Sequence, residues 1–190
     1  MIQICGIIRQ SIVDGPGIRF VVFTQGCPHH CPECHNPQSW PLEGGTMVTA
    51  DRLLEEIRKN PTLQGLTLSG GEPTLQCEEL LPLVREVKKM GKDVVLFSGY
   101  TFEQLQQRCG LSGPDTGQEV TGEAALRELL HLTDLLIDGP YKKEERDLSL
   151  QYRGSRNQRL LDCSASMAAG TPVLWEETGW KDLPKVPKRI

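Results

Sequence analysis

The chain has 190 residues, enough for one domain with its own core and too few for two ordinary ones. Its net charge of −4 argues against a chain-wide nucleic-acid or membrane surface. No apolar stretch approaches bilayer length, and the opening MIQICGIIRQ lacks the basic start and long apolar run of a signal peptide.

A cytoplasmic protein is therefore expected, with neither a nucleic acid nor a membrane as partner. In that reducing compartment the seven cysteines read as one cluster plus isolated thiols, not as disulfides.

Apolar, β-branched runs alternate with segments of helical period. IRFVVFTQG (Ile18–Gly26) reads as a strand that delivers the chain into a cysteine-rich loop. TADRLLEEIRKN (Thr49–Asn60) predicts a helix capped by Thr49, with Leu53, Leu54 and Ile57 on one face. GLTLSGGEP (Gly65–Pro73) is a short strand running into a glycine turn. CEELLPLVREVKKM (Cys77–Met90) predicts a helix in which Pro82 is tolerable only near the start. KDVVLFSGY (Lys92–Tyr100) is a further strand, and TFEQLQQRC opens at Thr101 with a capping-box pattern. A glycine-rich loop (Gly110–Gly122) precedes a helix at Glu123–Leu132 and a strand at Asp134–Gly139. A polar stretch from Tyr141 to Gly154 follows, then a short helix and a last strand, TPVLWEE (Thr171–Glu177).

This alternation predicts an α/β fold of βα units around a mainly parallel sheet, because parallel neighbours need crossovers. The units fall short of the eight of a closed barrel, so a partial, open (β/α) barrel is expected. Residues 1–178 would form the core domain and 179–190 a basic, proline-containing tail. Ligands of parallel sheets gather at the carboxyl ends of the strands. Both TQGCPHHCPEC and LSGGEP lie just past such ends, which points to one shared site.

In GCPHHCPECHNP, Cys27, Cys31 and Cys34 stand in a C-x3-C-x2-C spacing on a loop broken by Pro28, Pro32 and Pro37. Soft thiolates select zinc or iron–sulfur clusters. A structural zinc needs a fourth ligand, which His29, His30 or His35 could supply, although the paired C-x2-C knuckles of zinc sites are absent. A 4Fe-4S cube held by three cysteines leaves one iron for a ligand that is not protein, and an open position marks a reactive site. Spacing and softness favour the cube.

C-x3-C-x2-C after a first strand, with GGEP downstream, resembles the radical S-adenosylmethionine (SAM) superfamily. SIVDGPGIRFVVFTQGCPHHCPECHNPQSW (Ser11–Trp40) resembles its glycyl-radical-enzyme activases along its whole length. DLLIDGPY and LSLQYRGSRNQRLLD (Leu148–Asp162) are similar to those that serve the anaerobic ribonucleotide reductase. The resemblance implies a barrel of radical SAM type, with Cys27, Cys31 and Cys34 holding a 4Fe-4S cluster whose fourth position is kept for SAM. It implies SAM contacts from the loop around Glu33, Cys34 and His35, from the backbone of Gly70 and Gly71, and from Glu72. Glycine is expected at both positions because a side chain would hold the backbone off the ligand.

Asp138, at a strand end, resembles a site-facing acid. Arg153, Arg156 and Arg159 could serve SAM or the reductase. Asp14–Gly17 and Arg19 match the activase pattern without an assigned catalytic role. The implied partners are the large subunit of the anaerobic reductase, which receives a glycyl radical, and a flavodoxin-type electron donor.

Three alternatives stay open: another glycyl-radical enzyme such as pyruvate formate-lyase as target, a small-molecule enzyme like 7-carboxy-7-deazaguanine synthase, or a zinc-stabilised interaction module. Activases of pyruvate formate-lyase carry an Asp-Thr pair where this chain has FSGY (Phe97–Tyr100), which puts a cation site there in doubt. No phosphate-binding GxxxxGK[ST] loop occurs, so ATP hydrolysis is unsupported.

Overall fold

The computed structural model describes residues 1–110 and 121–176. The chain runs β1 (Ile2–Ser11), β2 (Arg19–Thr24), β3 (Thr46–Val48), α1 (Ala50–Arg58), β4 (Gly65–Gly70), α2 (Cys77–Lys89), β5 (Asp93–Ser98), α3 (Phe102–Arg108), α4 (Thr121–Leu132), β6 (Leu135–Asp138), β7 (Arg159–Asp162) and α5 (Cys163–Ala169). The strands form one sheet in the order β3-β1-β2-β4-β5-β6-β7. Its middle, β2-β4-β5-β6, is parallel, and each pairing outside it (β1 with β2 and β3, β6 with β7) is antiparallel. The fold is thus mixed α/β, with a parallel centre.

The four central strands are the ones their apolar runs announce, since strands covered on both faces need few polar positions. Alternate residues divide between the faces. Val22, Leu68, Leu96 and Leu136 pack in the large core with the helices, together with Leu80, Leu83, Val84 and Leu129. On the opposite face Val95, Leu135, Ile137 and Leu160 form a smaller cluster against Phe97, Tyr152 and Trp175. The helix starts follow local chemistry. Thr49 accepts from Arg52 N at 3.2 Å, and Thr101 and Gln104 form the reciprocal capping box. Pro82 falls at the sixth position of α2, deeper than expected, and is accommodated on the exposed face.

Three differences separate structure from expectation. The strands β1, β3 and β7 carry no clear alternating pattern, and all pair antiparallel at the flanks. The segment Thr171–Glu177 is not a strand over its described part. It touches β7 through a single bridge, Leu161 to Leu174, with flanking bonds from Asp162 N to Val173 O and Trp175 N to Leu160 O. The fourth helix starts at Thr121, ahead of Glu123. Most of the Gly110–Gly122 loop, the domain boundary at residue 178 and the basic tail lie outside the described residues. Among the described residues no helix is long and apolar enough to cross a membrane.

Candidate active site

The carboxyl ends of β2, β4, β5 and β6 deliver Thr24, Gly70, Ser98 and Asp138 to one edge of the sheet. Thr24 pairs with Gly70, and Ser98 with Asp138. Past Thr24 the chain enters the cysteine loop, whose base is pinned by Gly26 N to Ser39 O (2.8 Å) and Cys27 N to Trp40 O (3.0 Å). The loop turns on Cys34 N to Cys31 O at 3.1 Å and on two left-handed non-glycine residues, His30 (φ 47°) and Glu33 (φ 57°). Such conformations are costly for residues with a Cβ and persist only where the surroundings impose them.

Cys27, Cys31 and Cys34 are free thiols, each half-buried. Burial pushes Cys27 and Cys31 above the ordinary thiol range. The charges of Glu72 and of neighbouring cysteines add to this, while backbone hydrogen bonds involving His29 and Tyr141 oppose it. The three sulfurs therefore share one electrostatic neighbourhood. Among the described residues no three His, Cys, Asp or Glu are drawn together tightly enough to chelate one ion. A cube would offer a separate iron to each thiolate, so three cysteines holding it need not converge on one ion. Of the histidines of the zinc alternative, His29 bonds Glu72 through its Nε2, while His30 and His35 make ring contacts with Trp40 and Tyr141. The donor set fits a cluster of several irons.

The glycine turn meets this loop directly. Gly70 has φ 96°, and a Cβ there would lie 2.6 Å from Phe23 Cα and Thr24 N. At Gly71 a Cβ would lie 2.3 Å from Gly26 O. Glycine is thus demanded by the backbone of β2 and the cysteine loop, a reason independent of any ligand. The turn is bonded to the loop through Gly71 N to Thr24 O (2.8 Å) and Glu72 N to Gly26 O (2.7 Å).

Glu72 is fully buried, and its carboxylate is committed to the protein. One oxygen accepts from Thr74 N (3.1 Å) and Thr74 Oγ1 (2.8 Å), the other from Gly99 N (2.8 Å) and His29 Nε2 (3.0 Å). Ser98 Oγ reaches both, at 3.0 and 3.1 Å. These bonds make the carboxylate a brace between strand ends. Asp138 is likewise buried. It accepts from Phe102 N at 2.7 Å and is bridged by Arg159, which also holds Glu103 at 2.8 Å. Sequence reasoning missed Ser98 and Gly99 as partners of Glu72 and named His29 only as a possible zinc ligand, because no local signal marks these pairings.

Glu33 and His35 are exposed and face the returning polar stretch, Glu33 in an ion pair with Lys143 and His35 with its ring 5.6 Å from Tyr141. That stretch, the loop at Ile12–Asp14 and the sheet enclose a cavity of about 680 Å³, into which Phe23, Ser69, Phe97, Cys34, His35, Asp14 and Arg153 contribute. Its volume suits one nucleoside-sized ligand. Arg156 pairs instead with Asp147 at 3.0 Å. Arg19, fully buried, bonds Thr67 Oγ1 (2.7 Å), Pro16 O (2.9 Å) and Leu66 O (2.8 Å), fixing the Asp14–Gly17 turn from below.

Fold and site together define a domain built round a single iron–sulfur cluster: residues 13–161 match the family described as 4Fe-4S single cluster domain. Three relatives are each named anaerobic ribonucleoside-triphosphate reductase-activating protein. That of Haemophilus influenzae is 34% identical over 78% of this chain and 90% of the relative. That of Escherichia coli K12 is 31% identical over the same shares, 78% and 90%. That of Enterobacteria phage T4 is 37% identical over 79% of this chain and 87% of its own. The crystal structure of QueE from Escherichia coli aligns with 53% of this chain and 53% of that one at a TM-score of 0.45 and 21% identity. The chain belongs to the family of anaerobic ribonucleoside-triphosphate reductase-activating proteins.

Proposed function

We propose that the protein is a radical SAM activase that installs a glycyl radical on the large subunit of an anaerobic ribonucleotide reductase, in the cytosol and with electrons from a flavodoxin-type donor. When bound, the 4Fe-4S cluster and SAM supply a 5′-deoxyadenosyl radical able to take hydrogen from a glycine Cα. The observation that carries this reading is a loop of three free thiols whose root, Gly26, packs on the glycine turn and whose Cys34 lines a 680 Å³ cavity, in a chain of this family.

The chain's own residues divide the work. Cys27, Cys31 and Cys34 hold the cluster and leave one iron for SAM. Gly70 and Gly71 bring backbone to the SAM amino group, and Glu33 and His35 lie on the loop that meets its adenine. Glu72 contributes by bracing His29, Ser98 and Gly99. Asp138, neutralised by Arg159, shapes the neighbouring wall. The sheet serves as an open, partial barrel: helices cover one face, and the cavity on the other stays accessible to a protein loop.

The test is anaerobic reconstitution with iron and sulfide, reduction, and incubation with SAM and the reductase. An EPR doublet of a carbon-centred glycyl radical in the reductase is the expected result. Colourless protein with stoichiometric zinc, or an intact cluster with no radical in the reductase, overturns the reading.

A further inference from the structure

We infer that His29 is a positioning residue that sets how the cysteine loop sits over the glycine turn, and so how SAM reaches the cluster. The inference rests on the proposed function and assigns a role to a residue between two ligands that is not itself a ligand.

His29 occupies the middle of the Cys27–Cys31 interval, and its side chain is 16% exposed against 0% for Glu72. Its Nε2 lies 3.0 Å from Glu72 Oε2 and donates, because the carboxylate offers only acceptors. The acceptor is rigid, since five further hydrogen bonds from Thr74, Ser98 and Gly99 orient it. Gly99 is shaped for the ring: a Cβ there would fall 2.3 Å from His29 Cδ2. Tyr100 closes the seat edge-on, ring centroids 4.5 Å apart. Behind Tyr100, the Arg108 guanidinium lies 4.3 Å from the ring centre and donates to Thr74 Oγ1 at 2.7 Å.

These contacts close a circuit from His29 through Glu72, Thr74, Arg108 and Tyr100 back to His29. It joins the cysteine loop to the residue that follows Gly70–Gly71, to the end of β5 and to α3. His30, one position on, has no such seat; it is exposed and packs on Trp40. Losing the seat leaves all three thiolates in place but frees the loop to shift against the turn. The affected quantity is the fit of a ligand that must touch both, not the cluster's own ligand set.

The experiment compares wild-type holoprotein with His29→Ala, His29→Gln and Gly99→Ala. Each is assayed for iron and sulfide, for the midpoint potential of the cluster, and for the SAM concentration at which the EPR spectrum of the reduced cluster changes. The expected result is wild-type iron in all four proteins. The SAM midpoint should rise about tenfold or more in His29→Ala and Gly99→Ala, the scale of one hydrogen bond to a buried carboxylate. Recovery is expected in His29→Gln, which keeps an N–H donor. Should the alanine protein fail to fold, the contrast between His29→Gln and Gly99→Ala is read the same way. An unchanged SAM titration in His29→Ala or in Gly99→Ala overturns the inference. So does loss of iron from His29→Gln, which would make the imidazole a ligand. A wild-type protein that takes up no iron–sulfur cluster overturns the proposed function, and the inference with it.

Discussion

Gly71 and Gly26 are in backbone contact: the space a Cβ of Gly71 would need lies 2.3 Å from the Gly26 carbonyl oxygen. The glycine turn and the root of the cysteine loop are therefore one packed unit. Because the obstacle is backbone, it cannot swing aside as a side chain would. Gly71→Ala is expected to destabilise the protein by about 1–3 kcal/mol, the usual cost of overpacking. It should also lower iron uptake on reconstitution. Urea denaturation and iron analysis check both.

Replacing Cys27, Cys31 or Cys34 singly by Ala should abolish formation of 5′-deoxyadenosine from SAM under reducing conditions. Cys163 is the control. Burial raises its thiol to about 12, so it is neither a ready nucleophile nor a ligand. Cys163→Ala should keep both cluster and SAM cleavage and lose only packing, on the order of 1 kcal/mol. Chromatographic detection of 5′-deoxyadenosine separates the two outcomes.

Arg159 neutralises an otherwise buried carboxylate, Asp138. Removing one partner of such a pair strands the other charge, which costs about 3–5 kcal/mol where the survivor is fully buried. Because Phe102 N still donates to Asp138, Arg159→Ala is expected near the lower figure. The double variant Arg159→Leu with Asp138→Leu should recover most of the loss. Denaturation midpoints of the three proteins decide it.

The same arginine holds Glu103 down to about 2 through a side-chain hydrogen bond. A depressed folded-state value means that this contribution is fully present above the ordinary carboxylate value near ~4.3. It is lost as pH falls through about 2, where the folded-state group takes up its proton. Wild-type protein should therefore gain stability over Glu103→Gln from pH 2 to pH 5 and hold that advantage, unchanged, at neutral pH. Glu103 is half-exposed, so the advantage should shrink in high salt. Acid titration followed by circular dichroism, at two ionic strengths, is the check.

Much of the fold was legible because its signals are local. The caps at Thr49 and Thr101 act across three residues, and the apolar runs of β2, β4, β5 and β6 mark strands covered on both faces. The flanks were not legible. β7 has four residues and opens with Arg159, whose side chain folds onto Asp138, and no periodicity in so short a run reveals that pairing. The extended pattern of Thr171–Glu177 read as a strand, yet Val173–Trp175 only grazes β7.

At the site, the cysteine spacing was readable and the hydrogen-bond partners of Glu72 were not. A Glu after two glycines reads as a ligand contact; the fold buries it and saturates it from Thr74, Ser98, Gly99 and His29. Its bond to His29 spans 43 residues.

The sequence by itself determined the donor chemistry, three soft thiolates on a proline-broken loop, and the parallel strands that carry it, because side-chain type and short-range periodicity belong to the chain alone. Only the tertiary structure decided which polar groups are spent on one another and which remain for a ligand. That allocation depends on burial and on partners brought together from distant strand ends, where the need to pair every buried donor and acceptor leaves few arrangements open.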